Sequence, residues 1–243
     1  MIPLRDRLPT RTTPVVNYAL LTTNALAFWL QLTVWDESVM VDWGFVPDRF
    51  WHDPVAQSLT VGSAMFLHSG WLHIGGNLLF LWVFGKNVED AIGHGRYVLF
   101  YVGGGVAAAV GHLLVDPTSN LPMVGASGAI AAVLAGYVSL FPRVRVLVLF
   151  PVFIIFLFFE FPAWLVVLEW FALNLLRGVY AIASDDHGGV AWFAHIGGFL
   201  AGLFLIRAAM IGRPAIAYDK WTGWRSKAAS KRRPRVVYRR PRP

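Results

Sequence analysis

Cysteine is absent from the 243 residues. That absence excludes disulfides, a thiol nucleophile and thiolate-bound metal, and it leaves no trace of the redox state of the compartment. Charge is scarce too, at 14% of residues against 56% hydrophobic. With a mean hydropathy of +0.55, a soluble domain of this length lacks the polar surface to cover itself, and the chain reads as an integral membrane protein. Acids are nearly missing from the C-terminal stretch, where residues 207–243 hold twelve Lys and Arg against Asp219 alone. Few aromatics and no recognised motif accompany those cations, so nucleic acid is not expected as a partner. The expected partner is a membrane surface carrying anionic headgroups on the cytoplasmic side. No small-residue cleavage site closely follows the first apolar run, which is therefore expected to stay as an anchor.

Runs long enough to cross a bilayer lie at about 14–35, 72–88, 97–115, 127–142, 161–180 and 191–210, each near the roughly 20 residues that the hydrocarbon core requires. The cations order them. Arg5, Arg7 and Arg11 put the N-terminus inside, Asp36, Glu37, Asp42, Asp48 and Asp53 put the first loop outside, and Lys86 with Arg96 brings the next one back. Asp116 marks an outer loop, Arg143 and Arg145 an inner one, Asp185 and Asp186 an outer one, and the basic tail ends inside. Six crossings satisfy every loop. A seventh through the apolar segment 144–162, which Pro151 interrupts, would reverse the last two. That segment is read instead as interfacial or re-entrant at the cytoplasmic side, an amphipathic or hairpin element on the membrane surface. The predicted architecture is an all-α membrane protein with six transmembrane helices and both termini cytoplasmic. Residues 1–13 form a cytoplasmic N-terminal segment, 14–210 the transmembrane domain and 211–243 a basic cytoplasmic tail.

Polar groups at membrane depth are costly and need a partner or a purpose. Three clusters fall at the outer ends of their spans: His68, His73 and Asn77 in HSGWLHIGGN, Ser127 in GASG, and His195 in AHIGGFLAG. His73 and Asn77 are four apart and share a helix face. Donors aimed together from one face suit a developing oxyanion. Ser127, at a helix start, offers a hydroxyl and an unpaired backbone N–H, and His195 is the available base to activate it. Ser127, Ala131 and Ala135 form a small-residue stripe on the fourth span, while Gly198 and Gly202 form a G-x-x-x-G face on the sixth. Packing of one on the other would bring the hydroxyl to the imidazole. Glu169, inside the fifth span, could orient a histidine as the acid of a triad, pair with Arg177 or face a polar cavity, and the structural role is favoured because nothing places it at the depth of His195. No metal site is expected of His68 and His73, five apart on different faces with no zinc-type glutamate between them, and no cofactor is expected.

At these residues the sequence resembles the rhomboid family of intramembrane serine proteases. The resemblance runs from about residue 14 to 210 and rests on His68-x4-His73-x3-Asn77, Gly125-Ala126-Ser127-Gly128 and Ala194-His195-x2-Gly198-x3-Gly202, in that order. It implies a Ser/His dyad without a required acid, with Ser127 as nucleophile and His195 as general base. An oxyanion hole would come from His73, Asn77 and the Ser127 N–H, with His68, Gly125 and Gly128 lining the site. The substrates it implies are single-pass membrane proteins whose helices are unstable near the outer surface. They would enter laterally near spans two and five, under the loop of residues 181–190, in what is expected to be a bacterial cytoplasmic membrane. Two features depart from the pattern. Ala131 stands where some members carry an aromatic residue on the catalytic histidine, and the link containing 144–162 is long. The rival reading is a catalytically silent rhomboid-like protein that binds or unfolds membrane helices, whose usual mark is loss of the serine or the histidine. A transporter is a weaker rival, lacking repeat symmetry.

Overall fold

A computed structural model describes residues 1–36, 38–184, 192–213, 216–219 and 223–226. Glu37, Asp185, Asp186, most of the 181–190 loop and the tail beyond residue 226 lie outside the described residues. In chain order the elements are β1 (Ile2–Asp6), α1 (Val15–Thr33), α2 (Val39–Trp43), α3 (Pro47–His52), α4 (Pro54–Ser63), α5 (Trp71–Phe80), α6 (Lys86–Ile92), α7 (His94–Val115) and α8 (Ser127–Leu140). There follow β2 (Arg145–Val152), β3 (Ile155–Pro162), α9 (Ala163–Ala183), α10 (Trp192–Ala209), β4 (Ile216–Asp219) and β5 (Gly223–Ser226). The fold is mostly helical. Among the described residues three helices are long and apolar enough to cross a membrane: His94–Val115, Ala163–Ala181 and Trp192–Ala209.

The six apolar runs of the sequence all fall on helices. α5 and α6 are one rod joined by a π-helical turn at Leu81–Gly85. The turn has a local cause: Asn17 of α1 donates to the Leu81 carbonyl at 3.1 Å and accepts from the Tyr97 hydroxyl at 2.8 Å. A side chain inserted into the i→i−4 ladder widens it in this way. α8 is the central helix. Every residue from Gly128 to Tyr137 is buried, as expected of a helix that is apolar all round. Gly198 and Gly202 of α10 do pack on α8, where Gly202 meets Ala135 of the expected stripe while Gly128 and Ala132 take the places of Ser127 and Ala131. Any Cβ on Gly198 would collide with the Gly128 carbonyl group, and one on Gly202 would lie 2.6 Å from Ala132 and 2.9 Å from Ala135. Ala131 is fully buried within α8, and Gly128 takes the place expected of Ser127 at the crossing.

The expectation of an all-α protein is corrected. Segment 144–162 is a β-hairpin, and β1 pairs antiparallel with β2 to make a three-stranded sheet of order β1-β2-β3. Alternation drives it: Val146 and Val148 are wholly buried, whereas Arg145 and the tip residues Phe153 and Ile154 are exposed. β-branched and aromatic side chains favour that pleated, half-buried surface. Phe150, Phe159 and Phe161 cluster on the face of Val146 and Val148, with ring centroids 5.7–6.1 Å apart, Phe150 and Phe161 half-buried and Phe159 exposed at its edge. The N-terminal segment is thereby tied to the helices. Asp6 accepts from the Tyr137 hydroxyl at 2.7 Å and from the Asn87 amide, and its carboxylate lies 3.2 Å from the Lys86 ammonium. β4 and β5 pair as a separate hairpin at the start of the basic tail.

Candidate active site

Ser127 opens α8, and the backbone ahead of it is held from two sides. Phe45 and Met123 exchange both backbone hydrogen bonds, at 3.0 and 2.8 Å, and the Gly125 N–H donates to the Ala64 carbonyl at 2.8 Å. Gly125 has φ +119°, a conformation that a side chain would strain. Its missing Cβ also makes room, since one there would stand 2.5 Å from His73 Nε2 and 3.5 Å from Asn77 Nδ2. The glycine therefore lets the chain pass directly over the imidazole and amide expected to bind an oxyanion.

The serine and the histidine meet. His195 Nε2 lies 2.7 Å from Ser127 Oγ, and His195 Nδ1 lies 2.6 Å from Asn174 Oδ1 on α9. The aromatic support missing at Ala131 comes from two other elements, with the Trp170 ring 5.7 Å and the Trp192 ring 6.1 Å from the His195 ring. On α5, His73 Nδ1 accepts from the Ser69 N–H at 3.4 Å and lies 3.0 Å from the Ser69 hydroxyl. An acceptor at Nδ1 leaves the proton on Nε2, pointing towards Gly125. Asn77 Nδ2 is buried with no hydrogen-bond partner, a costly state for a donor unless something is to be bound there. Ser127, His195, His73, Asn77, Gly125 and Gly128 all line one cavity of about 720 Å³.

His68 is a correction to the expected lining. It is not among the residues of the cavity wall. It is buried behind His73, with ring centroids 5.1 Å apart, and Phe28 at 6.4 Å closes its far side. Gln31 braces its backbone through two hydrogen bonds of 2.9 and 3.2 Å. Burial, and secondarily the neighbouring His73, push its imidazole down to about 4. His68 stays neutral and supports His73 from behind. Glu169 has a structural partner, as expected, but not Arg177: its carboxylate faces the Met1 ammonium at 3.3 Å. The Arg177 guanidinium instead lies 5.3 Å over the Trp192 ring. Asn174 was not singled out from the sequence. The available signal was an amide in an apolar span, which requires a partner as much as Glu169 does.

Comparison with known proteins places the chain. The profile of the Rhomboid domain matches residues 55–211. The chain belongs to the rhomboid family. It is 28% identical over 159 residues to Rhomboid protein 1, mitochondrial, of Saccharomyces cerevisiae, covering 62% of this chain and 42% of that one. It is 33% identical over 150 residues to the rhomboid protease GluP of Bacillus subtilis, covering 61% and 25%. Presenilin-associated rhomboid-like protein A, mitochondrial, of Danio rerio is 28% identical over 167 residues, covering 67% and 41%. The matched region of this rhomboid thus spans between a quarter and about two fifths of the length of these relatives. They come from mitochondria as well as from a bacterium, so the family does not single out a bacterial membrane. The match includes Ser127, His195, His73, Asn77 and Asn174 and leaves out β1, α1 and the tail.

Proposed function

We propose that this rhomboid is an intramembrane serine endopeptidase that cuts transmembrane segments of single-pass membrane proteins near the outer membrane face. The observation that carries the reading is the 2.7 Å contact between His195 Nε2 and Ser127 Oγ, made at a cavity that also holds the unpartnered Asn77 amide. His195 takes the Ser127 proton as Oγ attacks the scissile carbonyl carbon, and the tetrahedral oxyanion accepts from His73 Nε2–H, Asn77 Nδ2–H and the Ser127 backbone N–H. The imidazolium then protonates the leaving amine, which leaves an acyl-serine. A water attacks that ester as His195 takes its proton, and the imidazolium returns that proton to Ser127 Oγ as the product acid leaves. An intact dyad favours this reading over a silent relative that only binds membrane helices.

The reading places six crossings at α1, α5–α6, α7, α8, α9 and α10, with both termini cytoplasmic, in a bacterial cytoplasmic membrane; the Bacillus relative supports that compartment. The basic tail would rest on anionic headgroups. The depth of the site follows from helix length. α8 has 14 residues, about 21 Å at 1.5 Å per residue, against a hydrocarbon core of about 30 Å. With its inner end at the surface, Ser127 lies some 9 Å below the outer boundary. Water must therefore reach the site through the cavity. The test is labelling of the purified protein with a fluorophosphonate, alongside Ser127→Ala and His195→Ala, and cleavage of a reconstituted single-pass substrate. Labelling of wild type alone supports the reading, and equal labelling of all three defeats it.

A further inference from the structure

α9 contributes to the cavity a side chain that a two-residue mechanism does not require. Asn174 is buried, and its amide has one allowed orientation. Nδ2 donates to the Trp170 carbonyl at 2.7 Å, which turns Oδ1 towards His195 Nδ1 at 2.6 Å. An amide oxygen only accepts, so Nδ1 must carry the proton. The lone pair of the ring is then on Nε2, facing Ser127 Oγ at 2.7 Å, as a base requires. Without that acceptor the neutral ring is free to take the other tautomer, whose Nε2–H cannot receive the serine proton.

Among the described residues the cavity wall holds no carboxylate to do this work. Its charged and titratable members are His73 on α5, Arg177 on α9 and His195 itself, and those from α7 and α8 are uncharged. Arg177 is engaged over Trp192. We propose that Asn174 is a positioning residue that fixes the tautomer and rotamer of His195, completing a Ser127–His195–Asn174 relay and making the dyad depend on the seating of α9. The dependence follows from topology. Ser127 and His195 stand on α8 and α10, which are locked at Gly198 and Gly202, whereas Asn174 stands on α9, whose Leu168, Leu173, Leu175, Leu176 and Val179 are exposed. A displacement of α9 by about 1 Å takes the 2.6 Å bond beyond hydrogen-bond range and leaves the Ser127–His195 contact in place but its proton unassigned. This inference rests on the protease reading for its kinetic consequences and on geometry alone for the tautomer.

The experiment therefore has two arms, on the full chain in detergent. In the first, ¹⁵N shifts of the His195 imidazole at pH 8 report the tautomer whether or not the protein turns over. Wild type should show the Nδ1–H form and Asn174→Leu a mixture. A wild-type ring protonated on Nε2, or a spectrum unchanged in Asn174→Leu, overturns the proposal. In the second, fluorophosphonate labelling and substrate cleavage are followed from pH 5 to 9. Asn174→Leu should lower kcat and the labelling rate about 10–100-fold, the usual effect of removing a partner that orients a functional histidine, with KM within about twofold. Asn174→Asp keeps the acceptor and should recover activity, with its acid limb moved to higher pH because a carboxylate favours the imidazolium. Equal losses in both variants with an unmoved limb would show a packing role and overturn the proposal. Wild type that neither labels nor cleaves, yet shows the Nδ1–H ring, refutes the protease reading and leaves the positioning role standing.

Discussion

Replacing Gly202 by alanine is expected to disable the site without touching it. The added Cβ would lie 2.6 Å from the Ala132 Cα and carbonyl oxygen and 2.9 Å from the Ala135 Cβ. Backbone cannot rotate away, so α10 must lift from α8 by about 0.9 Å to restore ordinary carbon contact near 3.5 Å. If the helix moves as a rod, the 2.7 Å between Ser127 Oγ and His195 Nε2 opens to about 3.6 Å, outside hydrogen-bond geometry. A misplacement of about 1 Å can cost a rate factor near 10², and overpacking costs about 1–3 kcal/mol of stability. Gly198→Ala, one turn from His195 and against the Gly128 carbonyl, should do at least as much. The assay is the second-order fluorophosphonate labelling rate in detergent, measured at least 15 °C below each variant's melting temperature so that unfolding does not contribute. Gly75→Ala is the control, a helical glycine with nothing within 4 Å of the added carbon, which should keep the rate and gain a little helix stability. Wild-type labelling rates in both Gly202→Ala and Gly198→Ala would refute the claim that close α8–α10 packing sets the dyad.

Removing either of the donors proposed for the oxyanion, by His73→Ala or Asn77→Ala, should lower kcat by about 10²–10³ with little change in KM, read from steady-state cleavage of a transmembrane substrate. Asp6→Ala strips the Lys86 ammonium, the Tyr137 hydroxyl and the Asn87 amide of a buried partner. It should destabilise the fold by about 2–4 kcal/mol, whereas Asp6→Asn, which keeps hydrogen bonds, should cost less; unfolding in mixed micelles measures both. His68 gives a pH dependence. Its folded value near 4 lies below the unfolded value near 6.5, so the unfolded chain takes up the proton first. Its contribution is whole above about pH 6.5 and is lost as the pH falls towards 4, by about 3 kcal/mol in all. A His68→Phe variant should lose less stability than wild type over that window, seen as a smaller fall in melting temperature.

The parts of the site that were legible in the sequence are those whose chemistry and spacing coincide. Ser127 between glycines, His73 and Asn77 one turn apart, and His195 ahead of Gly198 and Gly202 each limit what their neighbours can be. Asn174 has no such frame. In EWFALNLL it is one amide among apolar residues, and only the approach of α10 gives it a meaning. The helix runs were legible because the hydrophobic requirement is strong and local, yet the shift of the crossing from Ser127 to Gly128 was not, since one residue of helix phase is set by packing against α7 and α10 together. β1 was invisible for the same reason in a stronger form. Ile2–Asp6 contains a proline and two charges and has no strand character of its own, and its partner Val146–Leu149 is supplied by a distant part of the chain.

That distance also orders assembly. The residues that register Ile2 with Leu149 and Asp6 with Val146 are synthesised with α1, α5, α6, α7 and α8 between them, so β1 must wait for all of these before it finds its hydrogen bonds. Loop closure over such a span comes late in folding. The sheet is then the clasp of the molecule, fastened only once the helices between its strands are made, and a chain stalled before residue 145 would carry β1 unfastened.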